Sequence, residues 1–136
     1  MNFSTAIQNL NWLAIIAASL STFLIGGIWY KVFQKGWLAS NNVTLEDLKG
    51  RNTGMIFGLA FVFSFIMSLN LAMFIGNQDV GFGALAGFMT GFGWIFFAIG
   101  IISLFENRPF KYVLINGGYM IVAFTIMGAI IGAWHK

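Results

Sequence analysis

The chain has 136 residues, of which 59% are apolar and only 8% are charged, and its formal net charge is +3. A soluble domain usually carries about a quarter charged residues, so this composition excludes a surface that faces water on all sides. Cysteine is absent, which excludes disulfides, thiol catalysis and cysteine-ligated metals. The seven Lys and Arg are scattered between apolar runs, a distribution that argues against nucleic-acid binding.

Four runs of the sequence lack charged residues, and each is longer than the ~20 residues that a helix needs to cross a ~30 Å hydrocarbon core. These runs cover residues 1–30, 52–78, 80–105 and 112–134. The sequence therefore predicts an all-α protein, an integral membrane four-helix bundle formed by a single domain over residues 1–136. The predicted spans are about 11–33, 53–75, 80–105 and 110–134.

The loop after the first span contains the sequence Thr44-Leu45-Glu46-Asp47. Thr44 can cap a helix, and the two acids would then lie in its first turn, where they interact favourably with the helix dipole. We predict a short interfacial helix from Leu45 to about Arg51, which would present Leu45 and Leu48 to the membrane surface.

The third span carries Gly83, Gly87 and Gly91 at a spacing of four residues, and the fourth carries Gly128 and Gly132. Small residues at this spacing form a bare ridge that lets two helices approach closely in lipid. We therefore predict that the third span is the central packing helix. Every span has pairs of small residues, and these form more packing faces than a single small bundle needs. A homo-oligomer is therefore also expected.

The basic residues predict the orientation in the membrane. Six of the seven lie in the first and third loops, and the second loop has none. The positive-inside rule then places both loops in the cytoplasm and both termini outside. The expected location is a bacterial cytoplasmic membrane.

Several short motifs lie along nearly the whole chain. They are Asn11-Trp12, Gly27-Ile28-Trp29-Tyr30 with Phe33 and Trp37, Thr44 to Leu48, Phe105-Glu106-Asn107-Arg108, Asn116 with Gly118-Tyr119, and Gly128-Ala129 with Gly132 and Trp134. In this order they resemble the uncharacterised membrane family DUF1761. The resemblance implies four helices and a membrane location, and it brings no known activity, substrate or catalytic residue. Where family members commonly carry Pro after a Trp-Tyr pair, Lys31 and Val32 stand here.

Two groups of side chains are candidate sites. Tyr30, Ser103, Asn116 and Tyr119 are polar or amphipathic residues at a similar depth, and they could line a cavity. The alternative is that they form hydrogen bonds between helices. Trp29, Trp37, Glu106 and Arg108 could form an interfacial pocket, and here the alternative is an aromatic belt beside a loop ion pair.

Three further polar or aromatic residues lie within or next to the spans. Asn11 and Asn70 lie toward the opposite side of the membrane and are expected to pair between helices. Trp94 lies in the middle of the third span, where we expect a buried packing residue, the alternative being a residue that stacks on a ligand.

All eleven charged side chains lie in loops or at the ends of the spans, whereas ion-coupled transporters usually place one within the bilayer. His, Asp and Glu do not cluster in the sequence, so we expect neither an enzyme nor a bound metal or cofactor. Two functions stay open. The first is a structural or accessory protein that packs with itself, with lipid or with another membrane protein through glycine-rich faces. The second is a small oligomeric carrier or pore for a neutral or apolar solute.

Overall fold

A computed structural model describes residues 2–134, and within that range the chain is helical with no strand. Four of the helices are long and apolar enough to cross a membrane, so the predicted all-α membrane bundle is confirmed. In chain order the helices are α1 (Phe3–Gln8), α2 (Trp12–Val32), α3 (Gln34–Asn41), α4 (Thr53–Ile75), α5 (Val80–Phe105) and α6 (Phe110–Ala133).

Each long helix begins at a residue suited to capping or starting a helix. The side chains of Asn11, Asn52 and Asp79 accept hydrogen bonds from backbone N–H groups at the starts of α2, α4 and α5. These bonds satisfy donors that have no partner within the helix. Pro109, whose missing N–H costs nothing at a helix start, precedes α6. Local sequence therefore accounts for where all four spans start.

The central helix of the bundle is α6, and the prediction that the third span is central is wrong. In the most apolar stretch of α6, 39% of residues are buried, against 11% in the corresponding stretch of α5. The reason is that α6 packs against α2, α3, α4 and α5, whereas α5 has its extensive contact with α6 alone. The glycines thus lie on a peripheral helix and face the central one.

Backbones meet directly where α5 crosses α6. A Cβ atom added to Gly83 would collide with the carbonyl oxygen of Gly128, and one added to Gly87 would collide with that of Phe124. At Gly91 the added atom would lie 2.8 Å from the Cα of Ile121. Only glycine allows so close an approach.

The contact is reciprocal at the end of the bundle that holds both termini. A Cβ on Gly128 would collide with the Gly83 carbonyl oxygen, and a Cβ on Gly132 would collide with that of Asp79. The glycine faces of α5 and α6 are therefore occupied within the chain.

Trp94 is exposed, so the expectation that it is a buried packing residue is wrong. It lies in a π-helical segment of α5, Gly91–Phe96, and 78% of its surface is accessible. In a regular α-helix, residues three apart share a face, so Trp94 would lie on the same side as Gly91. The wider turn, with its i to i+5 hydrogen bonds, rotates Trp94 away from α6.

The first loop also differs from its prediction. Its α-helix is α3, and the stretch expected to be helical from Leu45 to Arg51 forms only a 3-10 turn, Glu46–Leu48. Thr44 and Asp47 do exchange capping hydrogen bonds, at 2.9 and 3.3 Å. Gly50 then adopts a left-handed conformation with φ of 89°, which a continuing helix cannot accommodate.

Candidate functional site

Among the described residues, the shortest side-chain hydrogen bond between spans joins α2 to α6. The hydroxyl of Tyr30 donates to the side-chain carbonyl oxygen of Asn116 at 2.7 Å. The amide nitrogen of Asn116 donates in turn to the backbone carbonyl of Tyr112 at 3.0 Å. Both Tyr30 and Asn116 are partly buried. The amide is therefore engaged at its oxygen and at its nitrogen.

Tyr119 extends this contact toward the centre of the bundle. Its hydroxyl donates to the backbone carbonyl of Thr22 at 2.8 Å, and its ring meets that of Tyr30 edge to face, with the centroids 5.2 Å apart. Gly26 makes room for it, since a Cβ there would lie 3.3 Å from the Tyr119 hydroxyl. We call Tyr30, Asn116 and Tyr119 the tyrosine–asparagine cluster.

Trp29 forms a third contact between the same two helices. Its indole N–H donates to the backbone carbonyl of Ile115 at 2.9 Å. A Cβ on Gly118 would lie 2.9 Å from the Trp29 ring, so this glycine makes room for the ring beside α6. Trp29 therefore contacts α6 beside the tyrosine–asparagine cluster. Trp37, another of the predicted interfacial residues, meets the ring of Tyr30 edge to face, with the centroids 6.3 Å apart.

Ser103 lies apart from the cluster. It is buried near the end of α5, where its backbone carbonyl accepts from the N–H of Arg108 at 2.8 Å. Over residues 2–134, no hydrogen bond joins Ser103 to the cluster.

The other interfacial residues are linked through α3. Arg108 donates to the side-chain oxygen of Asn41 at 3.3 Å, and Asn41 donates to the backbone carbonyl of Trp37 at 2.9 Å. Arg108 also lies 3.8 Å from the Glu106 carboxylate and stacks over the ring of Tyr112. The arrangement ties the third loop to the first, and it leaves the Arg108 guanidinium partly exposed.

Two polar bridges between α2 and α4 are contacts that the sequence did not reveal. Thr22 and Ser64 share a hydrogen bond of 3.1 Å, and the Ser68 hydroxyl donates to the backbone carbonyl of Ile15 at 3.0 Å. The available signal was the spacing of Ser64 and Ser68, which puts both hydroxyls on one face of α4.

Asn11 and Asn70 do not pair with each other. Asn11 donates to the backbone carbonyl of Trp134 at 3.0 Å, which closes the end of the bundle that holds both termini. Asn70 donates to the carbonyl of Ile66 in its own helix. A cavity of about 240 Å³ near Asn11, beneath α1, is lined partly by Asn9 and Asn77.

A larger cavity, of about 590 Å³, is a groove between α4 and α5. The walls are almost entirely apolar, and α6 contributes Phe124 to them. Among the described residues, none that lines the groove is charged. This groove cannot be read from the sequence, because its walls come from two helices whose relative rotation is set by their contacts with α6. Its principal residues are Asn70, Phe74, Phe82, Leu85, Thr90 and Trp94.

Within the described part of the chain, no three His, Asp or Glu side chains come close enough to hold a metal ion. The sites available are thus the tyrosine–asparagine cluster, the Arg108 contacts, the terminal cavity and the groove.

Comparison with known proteins gives a family and no activity. The sequence model of a family described as "Protein of unknown function (DUF1761)" matches residues 13–132. No curated protein and no solved structure matches the chain.

Proposed function

The chain belongs to the DUF1761 family. We propose that it is a structural or accessory protein of the membrane and not an enzyme. The observation that carries the proposal is how its polar side chains are used. Tyr30, Tyr119 and Trp29 all donate from one span to another. Hydrogen bonds of this kind are worth ~0.6–2 kcal/mol each in a membrane, so these groups hold helices together.

The same contacts argue against a solute pathway through the cluster. The Asn116 amide is engaged at both ends, and neither the groove nor the terminal cavity includes Tyr30, Asn116 or Tyr119 in its walls. A pathway for a polar solute needs side chains free to replace the water that the solute loses.

The surface for a partner then lies on the outside of the bundle. Gly83, Gly87 and Gly91 on α5 are covered by α6, and Gly128 and Gly132 on α6 are covered by the start of α5. Gly58 on α4 instead has open space beside it. Only 17% of the most apolar stretch of α4 is buried. We propose that α4 presents this face to a second copy, to lipid or to another membrane protein.

We further propose that both termini lie outside and that loops 1 and 3 are cytoplasmic, in a bacterial cytoplasmic membrane. The positive-inside rule supports this orientation, because one end of the bundle gathers six basic residues. They are Lys31, Lys35, Lys49, Arg51, Arg108 and Lys111.

A small carrier for a neutral or apolar solute is the second candidate. The observation in its favour is the 590 Å³ groove, which has the size of a typical small-molecule site.

Cysteine crosslinking in native membranes tests the accessory role, because the chain has no cysteine of its own. Gly58→Cys on the open face of α4 should give a discrete crosslinked species. The matched control for random collision is Gly27→Cys, because Gly27 also has open space beside it. Gly87→Cys would not serve as a control, because it would disrupt the packing of α5 against α6. Only monomer from Gly58→Cys, or equal crosslinking from Gly27→Cys, would count against a second copy or another membrane protein at this face.

A further inference from the structure

Aromatic side chains mark both ends of the groove between α4 and α5. At the terminal end the rings of Phe74 and Phe82 stack with their centroids 6.1 Å apart. Toward the middle of the span the groove ends at Trp94. Phe82 and Trp94 are twelve residues apart, which corresponds to about 18 Å along a helix. The groove is therefore about as long as one leaflet of a ~30 Å hydrocarbon core is thick.

Its walls are apolar, with two polar groups that lack a protein partner. Asn70 uses one amide hydrogen for the carbonyl of Ile66, and no donor within residues 2–134 reaches its side-chain oxygen. The indole N–H of Trp94 likewise has no acceptor in that part of the chain. Thr90, by contrast, donates to the carbonyl of Ala86 at 2.8 Å.

Unpaired polar groups are costly at membrane depth, because hydrocarbon offers them no hydrogen bond. Asn70 lies one helical turn below Phe74 and so within the hydrocarbon region. A ligand carrying a hydroxyl or carbonyl oxygen would satisfy the Asn70 amide, which can both donate and accept.

We propose that this groove binds a neutral single-chain amphiphile, with its hydroxyl or carbonyl at Asn70 and its chain extending to Trp94. A phospholipid fits less well, because the Phe74–Phe82 pair closes the groove above Asn70 and a phosphate would have to lie in hydrocarbon without a charged partner. The groove is separate from the contacts of Tyr30 and Asn116 on which the accessory role rests.

Photo-crosslinking of the full-length protein in phosphatidylcholine nanodiscs tests the proposal. The probe is a long-chain fatty alcohol with a diazirine in its chain and a terminal alkyne. Crosslinks should concentrate on peptides containing residues 66–74 and 82–94, and unlabelled fatty alcohol should compete for them. A phosphatidylcholine carrying the same diazirine chain should label all exposed faces without competition.

Two substitutions sharpen the test. The first is Leu85→Trp, which places a larger side chain in the groove at a position that is 59% exposed. Its control is Leu104→Trp, on the same helix but outside the groove, at a position that is 80% exposed. We expect competable labelling to be lost in the Leu85→Trp variant and unchanged in the Leu104→Trp control. Asn70→Leu should weaken fatty-alcohol binding about fivefold, as expected for one hydrogen bond, and leave labelling by the corresponding diazirine alkane unchanged.

Three results would overturn the proposal. The first is labelling of wild type spread over all exposed faces without competition, which would mean bulk lipid only. The second is better competition by phosphatidylcholine than by the alcohol. The third is protection of the groove peptides that rises with protein concentration, which would identify a second copy as the occupant.

Discussion

Tyr30 and Asn116, 86 positions apart in the chain, are joined by a 2.7 Å hydrogen bond between the first and last spans. The bond joins the end of α2 to the start of α6, so the first and last spans of the chain are neighbours in the bundle. It also allows the contribution of one polar contact to be measured with a single-atom change.

Tyr30→Phe removes the hydroxyl and preserves the ring. We expect the free energy of unfolding to fall by about 1 kcal/mol, within the range for hydrogen bonds between membrane helices. The measurement is reversible unfolding in mixed micelles of increasing denaturing detergent. Tyr112→Phe is the control, since the Tyr112 hydroxyl has no hydrogen bond within residues 2–134. Equal stability of the Tyr30 variant and wild type would contradict a structural role for the bond.

Gly87→Ala tests the backbone contact between α5 and α6. The added methyl collides with the carbonyl oxygen of Phe124, and neither backbone can move without separating the helices. We expect destabilisation of about 3 kcal/mol, as for severe overpacking, measured by the same detergent titration. Gly27→Ala adds its methyl where nothing lies within 4 Å, and it should be neutral or slightly stabilising. Similar effects of the two changes would argue against the close approach.

Arg108→Gln separates the third loop from α3. Its bond to Asn41 and its ion pair with Glu106 are solvent-exposed, so global stability should fall by less than about 1 kcal/mol. Hydrogen exchange of the α3 amides should nevertheless accelerate, because Asn41 of α3 loses its hydrogen bond with Arg108, which lies just before α6. Lys49→Gln, which removes an exposed ion pair with Glu46, is the control. Unchanged exchange in α3 would show that Arg108 does not hold it.

Single cysteines test the proposed orientation. Asn77→Cys in the second loop should react with a membrane-impermeant maleimide in intact cells. Gln34→Cys in the first loop should react only after permeabilisation. Both positions are exposed, so a difference in labelling reports the side of the membrane. The reverse pattern would place the basic loops outside.

The positions of the spans could be predicted from the sequence because they depend on local properties. A long apolar run must satisfy its backbone hydrogen bonds internally in lipid, and helix formation does this without any tertiary contact. Asp79 and Pro109 mark the starts of α5 and α6 for the same local reason. The family resemblance, too, could be read directly from the motifs.

The candidate site was only partly predictable. Helical spacing put Asn116 and Tyr119 on one face of the last span, and equal depth suggested Tyr30 as a neighbour. Ser103 met the same criterion of depth and lies elsewhere, because depth says nothing about the direction in which a helix faces. For Trp29 the sequence suggests an interfacial pocket or an aromatic belt, and it does not reveal the hydrogen bond from the indole N–H to the Ile115 carbonyl of α6.

What the sequence by itself determined is therefore the class of protein, its four membrane helices and their ends. Only the tertiary structure decided that α6 is central, that Trp94 faces outward and that a groove opens between α4 and α5. These features depend on the rotation of each helix about its axis, and all four spans are apolar on nearly every side. With no polar face to orient them, the helices are fixed by close backbone contacts and a few hydrogen bonds, which exist only once the helices meet.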